Sequence, residues 1–166
     1  EITEGNSLTE PVVWSMETKG RDREDKPEYK LKAEIAFACS KTTNTTEYYH
    51  NSSYLEYGGA PDKAVRSAFV SQIDAYLKQN NKYNKSDKKI SFQDIEDCLN
   101  IVISSFSTKT SYENQTKKAI TNKFIQEAMT DFFKQQLEVY FIENKMEADK
   151  ITDQVLVNMR SRVRAE

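Results

Sequence analysis

The sequence predicts an α+β domain with helices packed over a mostly antiparallel sheet. Three observations lead there. In "YKLKAEIAFAC", Tyr29, Leu31, Ala33, Ile35, Phe37 and Cys39 alternate with Lys30, Lys32, Glu34, Ala36 and Ala38, the period-two signature of a strand with one buried face. Val65, Phe69, Ile73 and Leu77 recur every four residues, as do Ile151, Val155, Met159 and Val163, which marks amphipathic helices. The β-branched run "LNIVISSF" is too short for a core helix and reads as a central strand.

Taken in order, Val12, Val13, Trp14 and Met16 make a first, β-favouring strand. The charged turn "KGRDREDKPE" leads to the alternating strand. The polar stretch "SKTTNTT" reads as a hairpin connection and "EYYHNSSYL" as the returning strand, so the first three strands are expected to form an antiparallel meander. Gly58 and Gly59 permit a tight backbone, and Pro61 suits the first turn of a helix spanning 61–79. "KQNNKYNKSDKK" is a basic, solvated loop; Ser91 then caps a short helix, with Asp94 three residues on. After the central strand and the loop "STKTSYENQ" come two helices. The first is expected to bury Ile120, Phe124, Ala128, Phe132 and Tyr140, widened by Ile125, Met129, Phe133 and Leu137. The second carries Arg160, Arg162 and Arg164 on its outer face. The order is β-β-β-α-(α)-β-α-α.

The 166 residues suffice for one domain with a real core. A net charge of −2 provides no global basic field, so any nucleic-acid contact must come from a local patch. Two cysteines outside any Cys-x-x-Cys motif and one histidine do not assemble the usual zinc ligands. Cys39 and Cys98 read as buried reduced thiols, in keeping with a reducing compartment. The Asn-x-Ser/Thr patterns at Asn44, Asn51, Asn84 and Asn114 are the chance product of a chain rich in these residues. No apolar run approaches the ~20 residues of a membrane span. The chain starts at Glu1 and ends in the helical "MRSRVRAE", and so reads as a piece of something longer.

Chemistry-bearing patterns are few. Asp94, Glu96 and Asp97 read as surface charge, and His50 as a structural residue. No Gly-rich phosphate loop of the P-loop or dinucleotide type occurs. By itself this is not the sequence of a complete enzyme. The stretch "SYENQTKKAI" places Lys117 and Lys118 where a helix reads as beginning. Cations there oppose the positive helix end at a cost of about 0.3–1 kcal/mol if solvated. Alternatively an anion, such as phosphate, lies between them and the helix end.

Several segments, in order, resemble the second, transducer domain of the ATPase subunit of type IIA DNA topoisomerases, the family of gyrase B and its topoisomerase IV counterpart. "YYHNSSYLEYGGAPDKAVRSAFVSQIDAYL" is similar to the family's strand, Gly-Gly turn and helix. "ISFQDIEDCLNIVISSF" is similar to its short helix and central strand, and "ENQTKKAI" contains its Gln-Thr-Lys. "YFIENKMEADKITDQVLVNMRSRVRAE" is similar to the segment leading toward the TOPRIM domain. The resemblance covers nearly the whole chain. It implies a single transducer domain over 1–166 with 145–166 as connecting helix, an ATPase domain upstream and a TOPRIM domain downstream. It also implies a four-stranded, mostly antiparallel sheet with a left-handed βαβ crossover, helices on one face and a long C-terminal helix, as in other ATPases of the GHKL group. Carried over, Gln115 and Lys117 contact the ATP γ-phosphate, with Lys117 as the sensing charge; Lys118 matches no role in the family and is expected to face water. Arg66 matches an arginine facing the DNA cavity of the dimer. The cofactors implied are ATP and magnesium, the metal being bound outside this chain. The implied partners are double-stranded DNA, a gyrase A-type subunit and a second copy of the full-length protein, in the cytoplasm and with no membrane. The family's Thr-His after the paired glycines is replaced by Ala60-Pro61.

Two other readings compete: a stand-alone RNA- or protein-binding module using the same sheet and the basic loop, and the transducer of a mismatch-repair type ATPase. Single-strand binders present aromatic residues beside basic ones on an open face. Here most aromatics fall on stripes expected to be buried, which favours the topoisomerase reading.

Overall fold

The computed structural model describes residues 7–108 and 119–166. Its elements are β1 (Val12–Gly20), β2 (Tyr29–Cys39), β3 (Thr45–His50), β4 (Ser53–Tyr54), β5 (Gly58–Gly59), α1 (Ala60–Gln79), α2 (Phe92–Glu96), β6 (Leu99–Ser107), β7 (Ala119–Ile120), α3 (Lys123–Glu143) and α4 (Lys145–Ala165). The α+β class holds, and the alternation in β2 does what its period dictates. Tyr29, Leu31, Ala33, Ile35 and Phe37 are buried and the residues between them are exposed.

The main sheet has the order β1-β2-β6-β3-β4. It is five-stranded because the two-residue β4 adds to the four principal strands, pairing Tyr49 with Tyr54. The expected meander of the first three strands does not form. β6 inserts between β2 and β3, antiparallel to β2 (Ile35 opposite Ile103) and parallel to β3 (Tyr48 opposite Ile103). β3 and β6 are therefore joined by a crossover through α1 and α2, and the sheet is otherwise antiparallel.

The covered face packs Leu31, Ile35, Ile101 and Ile103 against Ala68, Phe69, Ile73 and Leu77 of α1 and the apolar side of α3. Phe37 is the hub, with edge-on ring contacts to Trp14, Phe69 and Tyr140 at 5.0, 5.5 and 5.9 Å. In α3 the fully buried stripe is Ile125, Met129, Phe133, Leu137 and Phe141. Phe124, Ala128, Phe132 and Tyr140, the stripe expected from sequence, flank it half-buried. Helix α3 begins at Lys123, not near Lys117. Its N-terminus is capped from afar: Asp22, in the β1–β2 turn, accepts hydrogen bonds from the Phe124 amide at 3.1 Å and from Asn122 Nδ2 at 3.0 Å.

Helix α4 is fastened by charge as well as by Ile151, Val155, Leu156 and Met159. Arg160 makes two hydrogen bonds to Asp87, at 2.8 and 3.0 Å, and Arg162 makes two to Asp94, at 2.8 and 3.1 Å. Asp94 is fully buried and also accepts from the Ser91 amide at 2.8 Å, so it is not surface charge. Likewise Arg160 and Arg162 do not form a free outer face.

His50 is structural, as expected. Ser105 donates its hydroxyl proton to the Tyr49 carbonyl at 3.2 Å, so it accepts from His50 Nδ1–H at 2.7 Å. In the neutral ring Nε2 is then the acceptor toward the Ser107 hydroxyl at 2.9 Å. Burial lowers the His50 pKa to about 4. The unfolded chain, with an ordinary histidine, binds a proton that the folded one refuses between roughly pH 6.5 and pH 4. Stability is thus lost as pH falls through that window, by at most about 1.4 kcal/mol per unit from this group. Denaturant titrations at pH 7 and pH 5 should show the fall, and His50→Gln should flatten it.

Candidate functional site

Gly58 and Gly59 adopt φ of 71° and 85°, in the left-handed region that favours glycine. They form β5, which pairs in parallel with β7, Gly58 opposite Ala119 and Gly59 opposite Ile120. The approach is close: a Cβ at Gly59 would fall on the Ile120 carbonyl oxygen and within 2.8 Å of its amide nitrogen. Pro61 lies in the first turn of α1, where its missing N–H costs nothing. This small second sheet joins the head of α1 to the residues that immediately follow Lys117 and Lys118. Gln115 and Lys117 themselves lie outside the described residues. The helix expected to begin near Lys117 and Lys118 begins at Lys123, with β7 and Asn122 ahead of its first turn.

Arg66 lies on α1, with about half of its side chain exposed. Its Nε donates to Asp62 Oδ2 at 2.8 Å, Nη2 lies 4.0 Å from Glu96 Oε2, and the guanidinium sits 4.6 Å above the Phe92 ring. The Asp62 hydrogen bond raises its pKa. Arg66 is therefore a charged group already engaged by carboxylates. Sequence reasoning does not single out Asp62; its four-residue spacing from Arg66 is the available signal.

Elsewhere, Lys82 bridges Asp149 and Asp153 of α4 at 3.0 and 2.8 Å, and Tyr76 donates to Asp149 at 2.6 Å, tying the end of α1 to α4. Cys39 and Cys98 are free and buried. The uncovered sheet face carries Tyr54 and Phe106, but Lys30 and Lys32 there are interspersed with Glu17, Glu34 and Glu47. Among the described residues no group of three or more acidic, histidine or cysteine side chains could hold a metal ion. No helix among them is long and apolar enough to cross a membrane.

The family model for DNA gyrase B matches residues 2–166. The chain belongs to the DNA gyrase B family. Its relatives include the DNA gyrase B protein of Mycoplasma pneumoniae, 28% identical over 98% of this chain and 25% of that protein. The DNA gyrase B protein of Mycoplasmoides gallisepticum is 30% identical over 80% of this chain and 21% of that protein. The chain thus spans about a quarter of the length of the gyrase B relatives it matches. Its fold is shared with the 43K ATPase domain of Thermus thermophilus gyrase B in complex with an aminocoumarin. That likeness has a TM-score of 0.78 at 20% identity, over 98% of this chain and 42% of that one. It is also shared with the topoisomerase IV ATP-binding domain of Francisella tularensis, with a TM-score of 0.72 at 22% identity, over 80% of this chain and 37% of that one.

Proposed function

We propose that this chain is the transducer domain of an ATP-dependent type II DNA topoisomerase. Gln115 and Lys117 contact the γ-phosphate of ATP held by an ATPase domain elsewhere in the full-length protein, where magnesium is also bound. The observation that carries the reading is the β5–β7 pairing in a chain of the gyrase B family. It ties the backbone just after Lys117 to the paired glycines at the head of α1, so a pull on that segment is delivered to a rigid helix.

Lys117 supplies a compact positive charge to the phosphate, and Gln115 a neutral hydrogen bond. After hydrolysis and phosphate loss that attraction ends, and the domain rotates as a rigid body. Helix α4, fastened through Arg160 and Arg162, carries the motion toward the DNA gate and strand passage. The partners are double-stranded DNA, a gyrase A-type subunit and a second copy of the full-length protein, in the cytoplasm. The match to the gyrase B family also favours this over the mismatch-repair and stand-alone readings.

The purified 166-residue chain should fold and should not hydrolyse ATP; turnover by it at the rate of the full-length protein would overturn the reading. Arg66→Ala in the full-length protein should lower DNA-stimulated ATPase more than basal ATPase. It should also reduce the salt dependence of DNA binding by about one phosphate contact. Equal loss of both activities would mark Arg66 as a structural residue of α1.

A further inference from the structure

We infer that Asp62 is a positioning residue that holds Arg66 back from phosphate. The inference rests on the reading of Arg66 as a DNA contact.

The Arg66 guanidinium is caged from two sides. Asp62, on its own helix, takes its Nε–H at 2.8 Å, while α2 supplies the Phe92 ring beneath it and Glu96 at 4.0 Å. A phosphate reaching the half-exposed guanidinium faces the repulsion of both acids. Asp62 therefore weakens the hold of Arg66 on phosphate without abolishing it.

The two halves of the cage belong to different parts of the fold. Asp62 is coupled to the small sheet: a Cβ on Gly58 would come within 2.6 Å of the Asp62 Cβ, so β5 lies directly against it. The Tyr48 hydroxyl donates to Asp62 Oδ1 at 3.1 Å, which fixes the other carboxylate oxygen to β3. Burial, then Asp62, raises the Tyr48 pKa, so the phenol remains a donor. Phe92 and Glu96 instead move with α2, which Asp94 and Arg162 join to α4. Asp62 and Arg66 stand one turn apart on α1, so the pair moves as one with that helix.

The test uses the full-length protein and a short DNA duplex of defined length. Affinity is measured across a salt series, without nucleotide and with a non-hydrolysable ATP analogue. Asp62→Asn keeps a carbonyl oxygen for Tyr48 and removes the charge that holds Arg66. Without nucleotide, it should bind the duplex severalfold tighter than wild type, with a salt slope steeper by about one phosphate contact. The gain should be of similar size in the two nucleotide conditions, because the pair lies within one helix. In Asp62→Asn/Arg66→Ala the gain should vanish, which separates release of Arg66 from the mere loss of an acidic group. Unchanged affinity in Asp62→Asn, or a gain that survives in the double variant, would overturn the inference. If Arg66→Ala alone leaves DNA affinity unchanged, the reading of Arg66 as a DNA contact fails, and this inference fails with it. If Arg66→Ala weakens binding while Asp62→Asn does nothing, only the positioning role fails.

Discussion

Lys117→Ala in the full-length protein should cut ATP turnover by on the order of a hundredfold or more. That is the scale of loss when a charge stabilising a transferring phosphoryl group is removed. The fold should be unaffected. The β5–β7 pairing is made by backbone groups of Ala119 and Ile120, and α3 starts only at Lys123. Nucleotide affinity should persist, because on this reading adenine and the α- and β-phosphates are held by another domain. Lys117→Arg should rescue incompletely, since a planar guanidinium does not replace a compact ammonium. Gln115→Ala should act in the same direction but more weakly, because a neutral hydrogen bond is lost and not a charge. Steady-state turnover with DNA present is the measurement, and a wild-type rate in Lys117→Ala would return the residue to ordinary surface charge.

Arg162→Leu should lower the melting temperature of the chain by about 10 °C, the largest stability effect expected of any surface-reaching side chain here. Asp94 is buried, with only 1% of its side chain exposed, and Arg162 makes two of its hydrogen bonds. Removing the arginine leaves that carboxylate in a desolvated place with only the Ser91 end of the pairing. Breaking a buried pair on one side costs about 3–5 kcal/mol, and the lower end applies because Arg162 is itself a quarter exposed. Asp94→Leu/Arg162→Leu should melt closer to wild type than Arg162→Leu, because no charge is stranded. Thermal denaturation followed by far-ultraviolet circular dichroism decides this. A shift of less than about 2 °C in Arg162→Leu would mean that the pair is solvated and does not fasten α4.

Much of this fold is legible residue by residue, and the failures share a cause. The alternation in β2 and the spacing of Val65, Phe69, Ile73 and Leu77 report which way side chains face, and those readings hold. Alternation does not report which strand lies alongside. "SKTTNTT" therefore reads as a hairpin connection, although β6 comes between β2 and β3. A strand of two residues leaves no periodic trace, so Ile120, four before Phe124, reads as part of α3 although it belongs to β7. The α3 stripe reads one position off because both sets of apolar residues recur at helical spacing and only packing ranks them. For the candidate site, the Gly-Gly pair and Arg66 stand out in the sequence, but Asp62 and Glu96 around that arginine do not. Ion pairs such as Asp94 with Arg162 join positions far apart in the chain, and composition makes each look solvated. The Ser91–Asp94 spacing is the one local hint that Asp94 points inward.

If ATP, through Lys117, loads the strand pair at the head of α1, the backbone of that pair must respond to nucleotide. Amide hydrogen exchange in segments containing Gly58–Gly59 and Ala119–Ile120 of the full-length protein tests this most directly. With a non-hydrolysable ATP analogue, exchange there should slow relative to ADP, and Lys117→Ala should abolish the difference while still binding the analogue. Identical exchange with the two nucleotides in the wild-type protein would contradict it.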